Sequence, residues 1–114
     1  MNIEEGDIVL APFHFAESEQ AKLRPCLVWN VTPVSATLVF ISSQKLEKAF
    51  PTEVVLDDEH AKSVGLLKAS RIDFGKRDRC LKVDVARKLG NLSSLQRTKL
   101  KECFLAASAA CLLD

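Results

Sequence analysis

Short apolar runs punctuated by turn residues organise this chain, and long helical stripes are confined to its end. Gly6-Asp7-Ile8-Val9-Leu10-Ala11-Pro12-Phe13 reads as a first strand, with Pro12 near its close. Residues 14 to 23 are polar and lack a clean period, which predicts a loop, long for a strand connection. A second strand runs from Arg24 or Pro25 to Val31. Proline lacks the donor that a central ladder needs, so it belongs at the first residue of a strand or on an edge. The residue before it is pushed into extended geometry. Arg24 is therefore predicted to stand at the mouth of a buried strand. Thr32-Pro33-Val34-Ser35 carries turn chemistry and leads to a third strand, Ala36 to Ile41. A polar connection, Ser42 to Pro51, precedes a fourth strand, Thr52 to Leu56, and Asp57 to His60 opens a polar loop.

Gly65 to Phe74 reads as a fifth strand, bent near Ala69. Leu81-Lys82-Val83-Asp84-Val85 alternates apolar and charged residues, the period of a half-buried strand, and Gly90 ends that segment. Ser93-Ser94-Leu95-Gln96 then matches a capping box. The helix it predicts carries Leu100, Cys103, Phe104, Ala107 and Cys111 on one face, with Arg97, Lys101 and Ser108 largely opposite. Short strands at regular spacing, one terminal helix and no alternation of strands with helices predict a mainly β (α+β) fold. Its form is a small antiparallel barrel with a C-terminal α-helix, a single domain over residues 1–114. The runs Cys26-Leu27-Val28-Trp29 and Leu38-Val39-Phe40-Ile41 are apolar on both faces, which predicts cover on both sides by a dimer interface or by the terminal helix.

Composition narrows the function classes. At 114 residues the chain has room for one core, and 47% hydrophobic with 27% charged residues is ordinary for a folded soluble domain. No apolar stretch approaches the roughly 18 residues of a membrane span. The acidic start, Met1-Asn2-Ile3-Glu4-Glu5-Gly6, lacks the regions of a signal peptide, so a cytoplasmic location is expected. Cys26, Cys80, Cys103 and Cys111 are widely spaced in apolar contexts, as buried reduced thiols are, and no Cys/His spacing suggests a metal site. A net charge of +1 argues against indiscriminate nucleic-acid binding but leaves room for a small basic groove.

Candidate chemistry gathers where the second and third strands would meet. If they pair, Arg24 lies at one end of a sheet with Ser42, Ser43 and Gln44, a guanidinium beside hydroxyls, which suits a phosphate. Arg24 could equally be a solvated flank, and the serines could simply end a strand. His14 between Phe13 and Phe15 reads either as a base-stacking platform or as a loop anchor. Lys45, Lys48, Lys68 and Arg71 read as a phosphate track or as solvated surface. Glu19 alone is a loop charge, His60 an exposed residue, and Trp29 a core or interface residue.

Taken in order, these segments resemble the MazF/PemK family of toxins from bacterial toxin–antitoxin pairs. The opening Gly6-Asp7-Ile8-Val9-Leu10 with Phe13 is similar to the family's first strand. Glu19-Gln20-Ala21, followed after two residues by Arg24-Pro25, resembles its most recognisable motif. Ile41-Ser42-Ser43-Gln44 falls where the family carries a Thr-Thr or Thr-Ser pair, Phe50-Pro51-Thr52-Glu53-Val54 resembles the next strand, and Gly65-Leu66 with Leu89-Gly90-Asn91-Leu92-Ser93 fits the approach to the last helix.

The resemblance implies an SH3-like barrel, a cytoplasmic homodimer, and a small cognate antitoxin that occupies the RNA groove, with DNA engaged only indirectly through that antitoxin. It also implies cleavage of single-stranded RNA at selected sequences with neither metal nor cofactor. Arg24 matches the catalytic arginine, Ser42 the catalytic threonine, and Glu19 an acidic loop residue near that site. Phe13, His14, Gln20, Lys22, Ser43, Gln44, Lys45, Lys68 and Ser70 are the expected RNA-binding positions. Glu19 and His14 are both candidates for the general base. The sequence also departs from the family. Some members carry an arginine and an aspartate on a later strand, where the nearest positions here are Lys68 and Ser70, and some place a histidine where Ser18 stands. A second reading is a non-catalytic binding module on the same barrel, such as a gyrase-poisoning toxin or an inactive nuclease relative.

Overall fold

The computed structural model describes residues 2–14, 20–44, 46 and 53–92, together with residues 98, 101, 102 and 105. Six strands form one antiparallel sheet: β1 (Asp7–Phe13), β2 (Lys22–Val31), β3 (Ser35–Ser42), β4 (Glu53–Leu56), β5 (Ser70–Leu81) and β6 (Arg87–Asn91). A short helix, α1 (Asp58–Ser63), joins β4 to the approach of β5. The strand order is β4-β5-β3-β2-β1-β6, curled into a half-barrel. The fold is thus mainly β, as the spacing of short apolar runs predicts.

Alternation along each strand sorts the side chains onto two faces, and both are buried. On one face Ile8, Leu27, Val39, Ile41, Ile72 and Phe74 pack beneath Ala61 and Val64 of the α1 region, with Trp29 against them. On the other, Val9, Ala11, Phe13, Cys26, Val28, Leu38 and Phe40 form a second cluster. The curl brings the end of β1 over this second face to β5, where the main-chain N–H of His14 donates to Asp78 at 2.7 Å. Apolar residues on both faces of β2 and β3 are therefore covered by the chain's own curl and by α1.

Five elements differ from the sequence reading. β2 begins at Lys22, which shortens the expected loop, because Lys22 and Leu23 pair with Phe13 and Pro12 of β1. The polar stretch after β4 is a helix, since Asp57 Oδ1 accepts from the His60 main-chain N–H at 2.8 Å and Asp58 and Glu59 stand in its first turn. β5 starts only at Ser70 and runs on to Leu81, through a register shift opposite Val39/Phe40. Leu81 to Val85 is not a strand. Lys82–Asp84 form a 3-10 turn, with the Lys82 N–H bonded to the Val34 carbonyl at 2.9 Å, and Val83 points to solvent. Gly90 lies within β6 and does not end the segment.

Gly65 and Gly90 bring the loop after α1 against β6. Gly65 has φ 95°, and a Cβ there would stand 2.1 Å from the Leu89 carbonyl oxygen; one on Gly90 would stand 2.2 Å from that of Val64. The terminal helix positions Arg97, Leu100, Cys103, Phe104, Ala107, Ser108 and Cys111 lie outside the described residues, whereas Thr98, Lys101, Glu102 and Leu105 are helical and exposed. Among the described residues no helix is long and apolar enough to cross a membrane.

Candidate functional site

Arg24 is the third residue of β2, with Pro25 next to it and Ala11 opposite in β1. Ala11 belongs to the second core cluster, so the Arg24 side chain rises from that same face. β2 and β3 are paired as far as Cys26 opposite Phe40. Arg24 and Ser42, each two residues beyond that last pair, fall by alternation on the Phe40 face. The Arg24 guanidinium carbon lies 5.9 Å from the Phe40 ring centroid, and the Lys76 ammonium lies 5.4 Å from it. One buried ring thus gathers two cations, each favoured by the ring's negative face.

The hydroxyl segment is held by a buried ionic group. Ser42 Oγ accepts from the Gln44 N–H at 3.1 Å, and the Gln44 carbonyl accepts from Arg71 Nε at 2.9 Å. Arg71 Nη1 also reaches Glu53 at 3.0 Å and Asp73 at 3.3 Å, all three side chains being nearly closed to solvent. Arg71 therefore does not belong to an exposed phosphate track: it is nearly buried, and two carboxylates already balance its charge. At the strand ends Arg24, Pro25, Ile41, Ser43, Lys68 and Ser70, with Leu66 and Leu67, line an open cleft of about 240 Å³. Ser43 is the serine in this lining; Ser42 turns to the adjoining Phe40 face. Ser70 is buried and donates its Oγ–H to the Lys68 carbonyl at 2.9 Å, while the Lys68 side chain is exposed.

Phe13 does not offer a stacking platform. It is 1% exposed and its ring packs on Phe40, centroids 5.5 Å apart, because it is the last inward position of β1. His14, the next residue, is half exposed, and its Nδ1 stands 2.9 Å from Asp78 Oδ2. Gln20 and Lys22 are exposed at the entry to β2. Glu19, Lys45 and Lys48 lie outside the described residues. Lys76 and Asp78 escaped the sequence reading because they sit in an almost wholly charged stretch, Lys76-Arg77-Asp78-Arg79, which shows no apolar period. The signal was the alternation of Lys76, Asp78 and Cys80, which places all three on one face of β5.

Charges at this face also reach its thiols. Burial pushes the Cys26 thiol up to about 12, with Cys80 and Asp78 adding to the effect and the Arg24 guanidinium opposing it. Cys80 is raised by burial and by Asp84 and Asp78.

No curated protein matches the sequence. Solved structures with the same fold include the Mycobacterium tuberculosis toxin MazF-mt6, at 23% identity and a TM-score of 0.65, covering 86% of this chain and 96% of that one. An endoribonuclease in complex with its cognate antitoxin, from a mycobacterial species, superposes with a TM-score of 0.70 at 12% identity, over 95% of this chain and 96% of that one. A further mycobacterial endoribonuclease gives 0.67 at 14% identity, over 96% and 94%. Residues 4–107 match the sequence profile of the PemK-like, MazF-like toxins of type II toxin–antitoxin systems, and the chain belongs to that family.

Proposed function

We propose that this protein is the toxin of a toxin–antitoxin pair and cleaves single-stranded RNA without a metal, by attack of a 2′-hydroxyl on the adjacent phosphorus. What supports this reading is the pairing of β2 with β3 up to Cys26 and Phe40, from which alternation puts Arg24 and Ser42 on one face, beside an open cleft that Arg24 lines. As the P–O2′ bond forms and the P–O5′ bond breaks, charge builds on the phosphoryl oxygens. Arg24, planar and permanently charged, is suited to stabilise it. Ser42 Oγ already accepts from the Gln44 N–H, which leaves its own O–H to donate to the same phosphate. Ser43, Gln44 and Lys68 line or border the cleft into which flanking nucleotides would run, with Gln20 and Lys22 exposed at the β2 entry. Membership of the family supports an antitoxin partner, a homodimer and a cytoplasmic setting, with DNA met only through the antitoxin.

The test is incubation of the purified protein with a long, mixed-sequence single-stranded transcript in EDTA. Cleavage is expected, and Arg24→Ala should lower it at least 100-fold with the circular dichroism spectrum unchanged. Full cutting by that variant would remove the mechanism. A protein that binds the transcript but never cuts it would instead be the non-catalytic module.

A further inference from the structure

We infer that His14 and Asp78 form the proton-transfer pair of this site, His14 Nε2 accepting the 2′-hydroxyl proton and Asp78 acting as the positioning residue. The inference rests on the nuclease reading above. Asp78 Oδ2 accepts both the His14 main-chain N–H, at 2.7 Å, and the His14 ring Nδ1, at 2.9 Å. Its Oδ1 accepts the Arg79 N–H at 2.8 Å. The carboxylate is thereby oriented from two strands whose residues stand 64 positions apart in sequence. An ionised carboxylate can only accept, so Nδ1 carries the ring hydrogen and the lone pair of the neutral imidazole lies on Nε2. Side-chain exposure is 49% for His14 and 22% for Asp78: the ring reaches solvent while the group that orients it is largely sheltered.

Asp78 stands opposite Leu38 on the face of β5 that it shares with Lys76, the face of the Phe40 cluster. His14 follows Phe13, whose ring packs on Phe40, and Phe40 carries Arg24 and Lys76. Among the described residues, the charged groups on the strands around His14 are Asp78 and Lys76 on β5, and Arg24 and Lys22 on β2. A simple pin between β1 and β5 needs only the main-chain bond; the additional ring bond fixes which nitrogen faces outward. In the step, Nε2 takes the proton from the 2′-hydroxyl, the 2′-oxygen bonds to phosphorus, and the P–O5′ bond breaks. The departing 5′-oxygen takes a proton from water, and the imidazolium then releases its own to solvent.

The test is the pH dependence of kcat/KM on the same transcript in EDTA, from pH 4.5 to 9. The unmodified protein should gain about tenfold per pH unit on an acid limb, until the imidazole is neutral. His14→Gln should lose at least 100-fold and the limb with it, and added imidazole should restore cutting to His14→Gly. Asp78→Asn should lose tenfold or more and displace the limb, because the amide no longer enforces the tautomer. If His14→Gln cuts with the parent profile, or loses activity only as its melting temperature falls while the limb stays, the pair is a structural pin and the inference fails. Cutting that is lost in Arg24→Ala yet untouched in His14→Gln overturns this inference alone. No cutting by the unmodified protein overturns both it and the nuclease reading.

Discussion

At the scale of single residues, the two serines at the end of β3 differ by the face they take. Ser42 shares the Arg24 face and Ser43 lines the cleft. Ser42→Ala is accordingly expected to lower kcat by roughly 100-fold to 1000-fold, the range for loss of one donor to developing charge, whereas Ser43→Ala should raise KM and leave kcat nearly intact. Steady-state kinetics on one RNA separates these outcomes. Cys26 is fully buried and its thiol is held up to about 12, so it should resist iodoacetamide at pH 8 in the folded protein and react only after unfolding, as peptide mass spectrometry would register. Arg24 was legible from sequence because proline constrains its own dihedral and its neighbour's. The place of Phe13 was not: whether an aromatic beside a loop faces in or out depends on how far the sheet curls.

At the scale of elements, buried charge holds the site's frame. Arg71→Met would leave the Glu53 and Asp73 carboxylates buried without their cation and the Gln44 carbonyl without its donor. A loss of about 3–5 kcal/mol is expected in urea denaturation, the usual effect of removing one partner of a buried pair. Gly90→Ala forces a Cβ onto the Val64 carbonyl and should cost about 1–3 kcal/mol by the same measurement. The α1 cap has a pH signature. Hydrogen bonds from the His60 main chain and ring lower the Asp57 carboxyl below its usual value. The cap is thus fully present above the ordinary aspartate range and is lost as the pH falls through the lowered one. The strands β1 to β4 were readable because each is a brief apolar run between turn residues. β5 was read only as far as Phe74 because its second half is charged, and what makes that half a strand is pairing with β3, a long-range contact that no local period encodes.

At the scale of the whole molecule, the apolar surplus on β2 and β3 is absorbed by a curl that buries both sheet faces, with α1 over one of them. That surplus therefore does not by itself require a second subunit, and the expectation of a homodimer rests on family membership. The same curl unites distant chemistry, carrying His14 to Asp78 and Phe13 to Phe40, the ring over which Arg24 lies. From sequence alone, two apolar runs were enough to foresee the pairing of β2 with β3. The meeting of β1 with β5 was not foreseeable, since it depends on strand twist accumulated across the sheet. The central claim is metal-free attack by a neighbouring 2′-hydroxyl at this face, and analysis of the product ends after digestion in EDTA tests it most directly. The account predicts 2′,3′-cyclic phosphate and 5′-hydroxyl ends, with no cutting of a 2′-O-methylated copy of the same RNA. Ends bearing a 5′-phosphate, or cutting of the methylated copy, would contradict it.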